Sequence, residues 1–202
     1  FIGAGDHAYD SGTDAEVTAK FSAYWGIEKL AGKFYAAPGN HDLDTDDGRP
    51  FFQFVRQTPE RYSKTLFGTH TEVFLFNSGL NTAGTQTDPL NSDGASLLDS
   101  TQAKTLLRDL AASTARNKIV VWHHPPYTSS ATYYPGISVF RPLTEAIANA
   151  GASALVCGHA HLYERLNKYL PIFIVGTGGA TLHSLSTTLA EGSKKQIIDY
   201  GY

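Results

Sequence analysis

The stretch LVCGHAHLYER, Leu155 to Arg165, leaves an apolar run at a glycine and then places His159 and His161 with one alanine between them. In an extended segment alternate side chains point the same way, so this spacing presents two imidazoles to one side of the chain. Histidine is the commonest metal ligand, but it is also an ordinary residue of surface turns. The pair alone leaves both interpretations open, and the other loops of the chain decide between them.

The composition is that of a globular chain of 202 residues, with 42% hydrophobic and 17% charged side chains. This length suits a single domain spanning 1–202. A net charge of -3 indicates no surface for nucleic acid, so an anionic substrate needs a local cationic centre such as bound metal. No apolar run approaches the length of a membrane span. The single cysteine, Cys157, excludes an internal disulfide, and its place in an apolar run predicts a buried, inert thiol.

The first residue, Phe1, is not a methionine, and the opening FIGAGDHAY is typical of the end of a strand that enters a loop. No charged and apolar leader stands there that would indicate a signal peptide. We therefore expect a fragment or a processed chain that is incomplete at its N-terminus.

Short apolar runs recur along the chain, and each ends in a loop rich in Gly, Asn, Asp, His or Pro. Their length, β-branched content and glycine punctuation predict buried strands rather than helices. The predicted strands are 1–5, 34–39, 72–77, 119–122, 154–158 and 172–179.

Helical patterns lie between these strands. An apolar stripe at positions 103, 106, 107, 110 and 111 predicts a half-buried helix, with Asp99 as its N-cap and Gln102 as the capping-box partner. A second helix is predicted from Pro142 to a stop at Gly151, and a weaker pattern covers 15–24. The polar stretch 80–96 predicts a long loop that is functional or mobile. Alternating strands and helices predict an α/β domain.

Motifs rich in ligand residues follow four of the predicted strands. They are GDHAY at 5–9, GNHD at 39–42, HHPPY at 123–127 and GHAH at 158–161. In open α/β sheets, ligands bind outside the carboxyl ends of the strands. Asp, Asn, His and Tyr are metal-ligand types, and the last three loops hold five of the eight histidines. We infer that the paired histidines of GHAH are ligands to two neighbouring metals.

These four motifs, in this order, resemble those of the calcineurin-like metallophosphoesterases, and specifically the branch similar to purple acid phosphatases. The branch resemblance rests on Tyr9 in GDxxY, on YER at 163–165 and on the late GTGG at 176–179. It implies a β-sandwich of two mixed sheets flanked by helices, with an N-terminal strand missing from this chain.

The resemblance also implies two metal sites. Asp6 would bridge the two ions, and Tyr9 and His161 would complete the first site, which in purple acid phosphatases is ferric iron coloured by tyrosinate charge transfer. The second site, usually zinc, manganese or ferrous iron, would be held by three further residues. These are Asn40, His123 and His159.

Substrate contacts are implied for three other residues. His41 would lie near the phosphate and protonate the leaving group, as a positioned histidine can. His124 and Tyr133 are weaker candidates for substrate binding, since the resemblance favours the first histidine of HHPPY as the ligand.

The function implied is hydrolysis of phosphate monoesters by attack of a metal-bound hydroxide, with two ions ~3.5–4 Å apart clamping the phosphoryl group. One alternative is a phosphodiesterase acting on nucleotide or lipid substrates. Another is a non-catalytic binding or structural module with a relic metal site. The expected partner is a phosphorylated small molecule or phosphoprotein, and the resemblance favours a secreted or extracellular location.

Two departures from the family pattern stand out. The family normally begins with Asp-x-His on a strand ahead of GD, so we expect an upstream Asp to supply a carboxylate for the first metal. Purple acid phosphatases also often carry a histidine beyond the HHPPY position, where this chain has Tyr133 and Tyr134.

Simpler interpretations compete for individual residues. Asp6 and Asn40 are also typical turn caps, and Tyr9 is also typical of a packed aromatic. DLDTDDG at 42–48 fails as an EF-hand loop, which favours a solvated turn. GTGG favours a tight turn over a phosphate cradle. Three histidines without a ligand role in these motifs are predicted to be structural, although His7, beside Asp6, is expected to line the predicted metal site. They are His7, His70 and His183.

Overall fold

The structure, a computed structural model, describes residues 1–23, 34–55, 62–79 and 96–201. Within these ranges, nine strands form a sheet of seven strands and a sheet of two. The strands are β1 (Ile2–Gly3), β2 (Tyr35–Ala36), β3 (Tyr62–Phe67), β4 (Thr71–Phe76), β5 (Asn117–Val121), β6 (Ala154–Cys157), β7 (Tyr163–Lys168), β8 (Leu170–Val175) and β9 (Ser193–Ile197).

The larger sheet has the order β3-β4-β5-β6-β8-β7-β9. Strands β4, β5, β6 and β8 are parallel to one another, whereas β3, β7 and β9 each pair antiparallel with a neighbour. The smaller sheet pairs β1 with β2 in parallel. The predicted sandwich of two sheets with helices is confirmed, and of the two sheets in the described ranges the larger one is mixed.

Four α-helices occur in the described part of the chain. They are α1 (Asp14–Glu16), α2 (Arg49–Val55), α3 (Thr101–Ala112) and α4 (Arg141–Asn149). A π-helical segment, Val17–Ser22, continues α1, so the weak helical pattern predicted for 15–24 is present as far as 23. Helix α4 starts around Pro142 and ends before Gly151, as predicted.

The predicted N-cap of α3 at Asp99 is wrong. Asp99 belongs to a preceding 3-10 turn, and the extended backbone of Ser100 instead lets its hydroxyl accept from the Ala103 N–H at 3.1 Å. The capping-box partner Gln102 turns away as well. Its amide exchanges two hydrogen bonds with the backbone of Asn77, at 2.8 and 3.0 Å, and so ties α3 to the end of β4.

The layers follow from the alternation of apolar side chains in the strands. One face of the large sheet packs on α3 and α4 through a core that includes Phe74, Trp122 and Leu106. The opposite face, through Val73 and Val121, packs on the small sheet.

The far side of the small sheet is covered in turn by α2, through Ala36 and Phe51. The order of layers is therefore helix, large sheet, small sheet, helix. In this arrangement, β1 and β2 lie against the central strands of the large sheet.

All six predicted strands are present, although β1 and β2 are shorter than the predicted segments. Three antiparallel strands, β3, β7 and β9, were not predicted. Cys157 is fully buried, and its burial raises the pKa of the thiol well above the usual range, as the prediction of an inert thiol requires. Residues 80–95 of the predicted loop lie outside the described ranges. Among the described residues, no helix combines the length and the apolar character needed to cross a bilayer.

Candidate metal centre

The loop after β1 carries Asp6 in a left-handed backbone conformation, with φ of 58°. Gly5 before it is also left-handed, and a side chain there would collide with the ring of His123. A Cβ on Gly39 would lie 2.1 Å from Oδ1 of Asp6. Two glycines thus let the loops after β1 and β2 approach each other and the large sheet closely enough to form a common site.

Three predicted ligands converge at the ends of β2, β5 and β6. The Oδ1 atom of Asn40 lies 3.0 Å from Nε2 of His123 and 3.0 Å from Nδ1 of His159. The two imidazole nitrogens are 3.2 Å apart. Asp6 joins them, because its Oδ2 lies 3.1 Å from Nε2 of His123. The structure therefore brings together the complete set predicted for the second metal, including the bridging carboxylate.

The protonation of His123 follows from its other ring nitrogen. Nδ1 lies 2.7 Å from the carbonyl oxygen of Ala4, and a carbonyl can only accept, so Nδ1 carries the hydrogen. In the neutral ring Nε2 then presents a lone pair to two further acceptors, the Oδ atoms of Asp6 and Asn40. Acceptors that converge in this way, buried from water, need either a proton or a metal cation between them. This donor set fits a divalent metal ion.

The groups predicted for the first metal meet Asp6 at Oδ2, the oxygen that also contacts His123. The Tyr9 hydroxyl donates to Oδ2 of Asp6 at 3.2 Å and lies 3.3 Å from Nε2 of His161. Nδ1 of His161 donates to the carbonyl oxygen of Thr181 at 2.7 Å, which leaves the lone pair of the neutral ring on Nε2. A carboxylate, a phenol and an imidazole lone pair fit a second ion beside the first, with Asp6 shared between them.

The pKa shifts reflect these contacts. Burial by itself opposes ionisation of Asp6, but His123 and His41 hold the pKa of the carboxyl well below its usual range. Burial also disfavours charge on His123, yet the Asp6 carboxylate raises the pKa of that imidazole. Burial and then the positive charge of His123 lower the pKa of His159 to about 2. Asp6 and His123 thus each favour the charged form of the other.

The phenol of Tyr9 has a different environment from that of a free tyrosine. Burial, followed by the negative charge of Asp6, raises the pKa of Tyr9 above its usual value. The hydroxyl therefore stays protonated near Asp6 unless a cation binds beside it. The contact of Tyr9 with Asp6 and His161 places it in the site, and its ring also packs against His41, with centroids 4.4 Å apart.

His41 is half-buried beside the predicted first site. Its backbone N–H donates to Oδ1 of Asp6 at 3.0 Å, and its ring nitrogen Nδ1 contacts the carbonyl oxygen of Asp10. Because that carbonyl accepts, Nδ1 carries a hydrogen and Nε2 is the ring atom that remains for a substrate. This arrangement is compatible with the predicted role of His41 towards the leaving group.

The two weaker candidates occupy different positions. Tyr133 lies at the site, where its ring stacks on that of His159 with centroids 4.0 Å apart. His124 lies deeper: its Nδ1 is 2.6 Å from the Ser78 hydroxyl, and its ring stacks parallel to Phe140. Burial and the neighbouring histidines lower its pKa well below the usual value.

His124 still belongs to the only cluster of three potential metal-binding side chains of the His, Cys, Asp or Glu type found in the described residues. Its members, with ligand atoms within 4.8 Å of one another, are His123, His124 and His159. The ring centroids of His124 and His159 are 4.6 Å apart. His124 therefore supports the ring of a predicted ligand from the side facing the core.

Sequence reasoning missed the contribution of Asp42, which was assigned to a solvated turn. The carboxylate is fully buried and accepts from the backbone N–H groups of His7 at 2.9 Å, Ala8 at 3.3 Å and Gly39 at 2.9 Å. It also contacts Nδ1 of His7 at 2.9 Å. The last residue of the GNHD motif thus fastens the loop that carries Asp6 to the loop that carries Asn40.

A second buried carboxylate supports the loop that follows His123. Glu164, in YER, accepts from the hydroxyl of Thr128 at 3.1 Å and from the backbone N–H and hydroxyl of Ser129 at 2.7 and 2.5 Å. The Ser193 hydroxyl in β9 also donates to it. The motif therefore fixes the HHPPY loop against β7 and β9.

His183, predicted to be structural, lies directly behind a predicted ligand. Its ring stacks on that of His161 with centroids 4.3 Å apart, and its Nδ1 accepts from the His161 backbone N–H at 3.1 Å. Burial and the nearby His161 lower the pKa of His183 to about 4. Its sequence position, in no motif and 22 residues beyond its neighbour, gave no signal of this contact. His7 is likewise buried, among Phe21, Phe34 and Phe51.

The two-sheet sandwich carries helices on its outer faces, and its strand ends gather a carboxylate, an amide, a phenol and imidazoles. This combination is typical of metal-dependent phosphoesterases. The family comparison agrees, because the calcineurin-like phosphoesterase model matches residues 1–163. The chain belongs to the calcineurin-like phosphoesterase family. No curated protein sequence matches it.

Solved structures show the same fold at low sequence identity. A purple acid phosphatase, PPD1 from yellow lupin (Lupinus luteus) seeds, superposes with a TM-score of 0.74 and 20% identity, over 99% of this chain and 40% of that one. GAP50, described as the anchor in the inner membrane complex of Plasmodium, gives a TM-score of 0.62 and 17% identity, over 83% of this chain and 56% of that one. This chain thus spans about half the length of these two proteins.

Proposed function

We propose that the protein hydrolyses phosphate monoesters with two metal ions held by the residues gathered around Asp6. The observation that supports this proposal is the convergence of both predicted ligand sets on one buried carboxylate oxygen, Oδ2 of Asp6. The proposed first site consists of Asp6, Tyr9 and His161. The proposed second site consists of Asp6, Asn40, His123 and His159.

Two bound ions would supply Lewis-acid polarisation of the phosphoryl group and activation of water. The protein contributes the rest of the chemistry through its own groups. Asp6 balances part of the positive charge at the centre of the site, whereas the neutral amide of Asn40 binds without adding charge that would repel a phosphate. Backbone carbonyls hold Nδ1 of His123 and of His161, so Nε2 of each ring faces the site and is the atom left to bind an ion.

Substrate contacts in this proposal come from His41 and Tyr133, with His124 in support of His159. In its imidazolium form His41 would give its Nε2 proton to the leaving alkoxide and become neutral, while Nδ1 keeps its hydrogen on the Asp10 carbonyl. The hydroxyl of Tyr133 would donate to a phosphoryl oxygen. We propose iron with zinc, manganese or a second iron as the metals, phosphorylated small molecules or phosphoproteins as substrates, and a secreted or extracellular location.

The experiment is to purify the protein, measure metal per chain, and compare hydrolysis of p-nitrophenyl phosphate with that of bis(p-nitrophenyl) phosphate. We expect about two metal ions per chain and faster turnover of the monoester. Faster turnover of the diester would favour the phosphodiesterase alternative. A protein that takes up no stoichiometric metal and hydrolyses neither compound would favour the alternative of a non-catalytic binding module. This alternative is retained because GAP50, which has a similar fold, is described as an anchor.

A further inference from the structure

The segment after β8 contacts His161 through both its backbone and its ring. The carbonyl oxygen of Thr181 accepts from Nδ1 of His161 at 2.7 Å. The backbone N–H of His183 donates to the His161 carbonyl at 2.9 Å, and Nδ1 of His183 accepts from the His161 backbone N–H at 3.1 Å. The two imidazoles also stack, with an interplanar angle of 18°. Four contacts therefore hold one predicted ligand.

These contacts determine which way the His161 imidazole points. The Thr181 carbonyl fixes the tautomer and one edge of the ring, and the stacked His183 ring restricts rotation of its plane. The reciprocal backbone bonds hold the Cα of His161 in place. As a result, Nε2 of His161 is directed at the Tyr9 hydroxyl, 3.3 Å away. Hydrogen bonds behind a ligand of this kind typically change metal affinity by about 10- to 100-fold.

His183 is itself held by the loop that follows the HHPPY motif. The hydroxyl of Ser130 lies 3.1 Å from Nδ1 of His183, so this nitrogen accepts from two donors and the ring proton lies on Nε2. Just after His183, backbone hydrogen bonds from Ala131 to Ser184, at 2.9 Å, and from Ser186 to Ser129, at 2.7 Å, pair the two segments. His183 thus connects the HHPPY loop to the second histidine of GHAH.

We propose that His183 is a positioning residue for the first metal site, where it orients His161 without contacting the metal. This role rests on the proposed function, because it presupposes an ion held by Asp6, Tyr9 and His161. The effect should be confined to that site. The second-site ligand His159 is separated from His183 by the Tyr133 ring, which lies 4.0 Å from the former ring and 5.4 Å from the latter.

Two substitutions separate the hydrogen bond from the stacking contact. His183→Phe keeps an aromatic ring against His161 and removes the acceptor for the His161 N–H. His183→Asn removes the ring and keeps an acceptor, since Oδ1 of asparagine takes a place similar to Nδ1 of histidine. Ser130→Ala serves as the matched control, because it removes the other donor to Nδ1 and leaves the His161 contacts intact.

The measurement is titration of the metal-free protein with Zn²⁺ by calorimetry, together with thermal unfolding of each variant. We expect two binding events in the wild type. One of them should weaken about 10- to 100-fold in His183→Phe, by a smaller factor in His183→Asn, which loses the stacking contact alone, and by less than about three-fold in Ser130→Ala. His161→Ala identifies the event that belongs to the first site. With ferric iron in place of zinc, the visible absorption should shift in His183→Phe.

The outcomes separate this role from the proposed function. Two unchanged binding events in His183→Phe would overturn the positioning role while leaving the dinuclear site standing. Equal weakening of both events, accompanied by a lower melting temperature in both His183 variants, would also overturn it, because that result indicates general loosening. A wild type that binds no pair of ions would refute the proposed function and, with it, this role.

Discussion

The carboxylate of Asp42 lies 2.9 Å from Nδ1 of His7, and this buried contact joins the two loops that carry Asp6 and Asn40. Neither residue is a predicted ligand. Because the same carboxylate accepts three backbone N–H groups, it determines the separation of the loops before any ion is present.

Replacing Asp42 with asparagine should therefore loosen the site from behind. The carboxamide cannot accept at both positions, so one or more buried N–H groups lose their acceptor, at a cost of about 1–3 kcal/mol each. We expect the free energy of unfolding to fall by on the order of 2–3 kcal/mol and metal binding to weaken at both sites, as measured by denaturant unfolding and calorimetry.

The matched control for Asp42 is Asp47→Asn. Asp47 is exposed and has a φ of 52°, a conformation that asparagine tolerates well. Its free energy of unfolding should change by less than about 0.5 kcal/mol. Equal effects of the two substitutions would show that Asp42 does not hold the loops.

Removal of a second-site ligand should abolish most of the activity. His123→Ala and His159→Ala each withdraw one imidazole from a site with few ligands, so each should lower metal content by about one ion per chain. Turnover of an aryl phosphate should fall by more than the roughly 100-fold that loss of a supporting hydrogen bond costs. His70→Ala, an exposed histidine in a turn, is the control. Unchanged metal content in both variants would mean that the site lies elsewhere.

Tyr9→Phe tests the first site by colour. The raised pKa of the phenol means that its proton is retained to a higher pH than in free tyrosine, so a phenolate at neutral pH requires a bound cation. The iron-loaded wild type should show a visible tyrosinate band that Tyr9→Phe lacks, while the phenylalanine ring preserves the packing on His41. A colourless, fully active, iron-loaded wild type would exclude the purple branch and leave the wider family assignment intact.

The carboxylate of Glu16, next to the loop that carries Tyr9, should make the stability of the fold depend on pH. This carboxylate accepts from the backbone N–H groups of Thr13 at 3.0 Å and Ser11 at 3.1 Å, and from that of Asp10. These bonds, led by the one from Thr13, lower its pKa from 4.5 to about 2. A lowered pKa means that the carboxylate stabilises the fold fully above about pH 4.5 and loses this effect as the pH falls towards 2.

The corresponding measurement compares the wild type with Glu16→Gln by thermal unfolding at pH 7 and at pH 3. The wild type should have the higher melting temperature at pH 7, and the difference should shrink at pH 3. Other carboxylates titrate in both proteins and cancel in the comparison. A difference that is independent of pH would show that the contacts of Glu16 do not depend on its charge.

Much of the site was predictable because its ligands follow apolar runs. The buried parallel strands β4, β5, β6 and β8 have continuous apolar sequences, and a glycine or polar motif marks the end of each. The motifs GDHAY, GNHD, HHPPY and GHAH therefore indicated their own positions in the fold, and the structure brings their side chains within hydrogen-bonding distance of one another.

The strands that were not predicted have a different character. β7 reads YERLNK and β9 reads SKKQI, so charged and polar residues interrupt any apolar run in both strands, and no residue of β9 is buried. β7 forms a hairpin with β8, the next strand, but β9 pairs with β7 rather than with the strand before it, and no local pattern encodes that pairing. The same reason hides His183 and Asp42. A histidine or aspartate whose partners are backbone N–H groups of another loop looks, in sequence, like any polar loop residue.

The small sheet has a consequence for how the protein would respond to chelators. Strands β1 and β2 are two residues long and are joined by the hydrogen bonds from Tyr35 to Phe1, at 3.0 Å, and from Ala37 to Gly3, at 3.1 Å. So short a pair has little stability of its own. The loops after these strands carry Asp6 and Asn40, whereas strands of the large sheet lead to His123 and His159. Ions bound by all four residues would therefore link the small sheet to the large one, a link called here the metal clasp.

Occupancy of the site should therefore be visible in the hydrogen exchange of the small sheet. The Ala37 amide should exchange slowly in the metal-loaded protein and much faster after treatment with a chelator, while amides of β5 keep their protection. Equal exchange of Ala37 in both states would show that the metal clasp is absent. If it is present, removal of metal melts one layer of the sandwich and leaves the other folded, which makes the ions part of the architecture as well as of the chemistry.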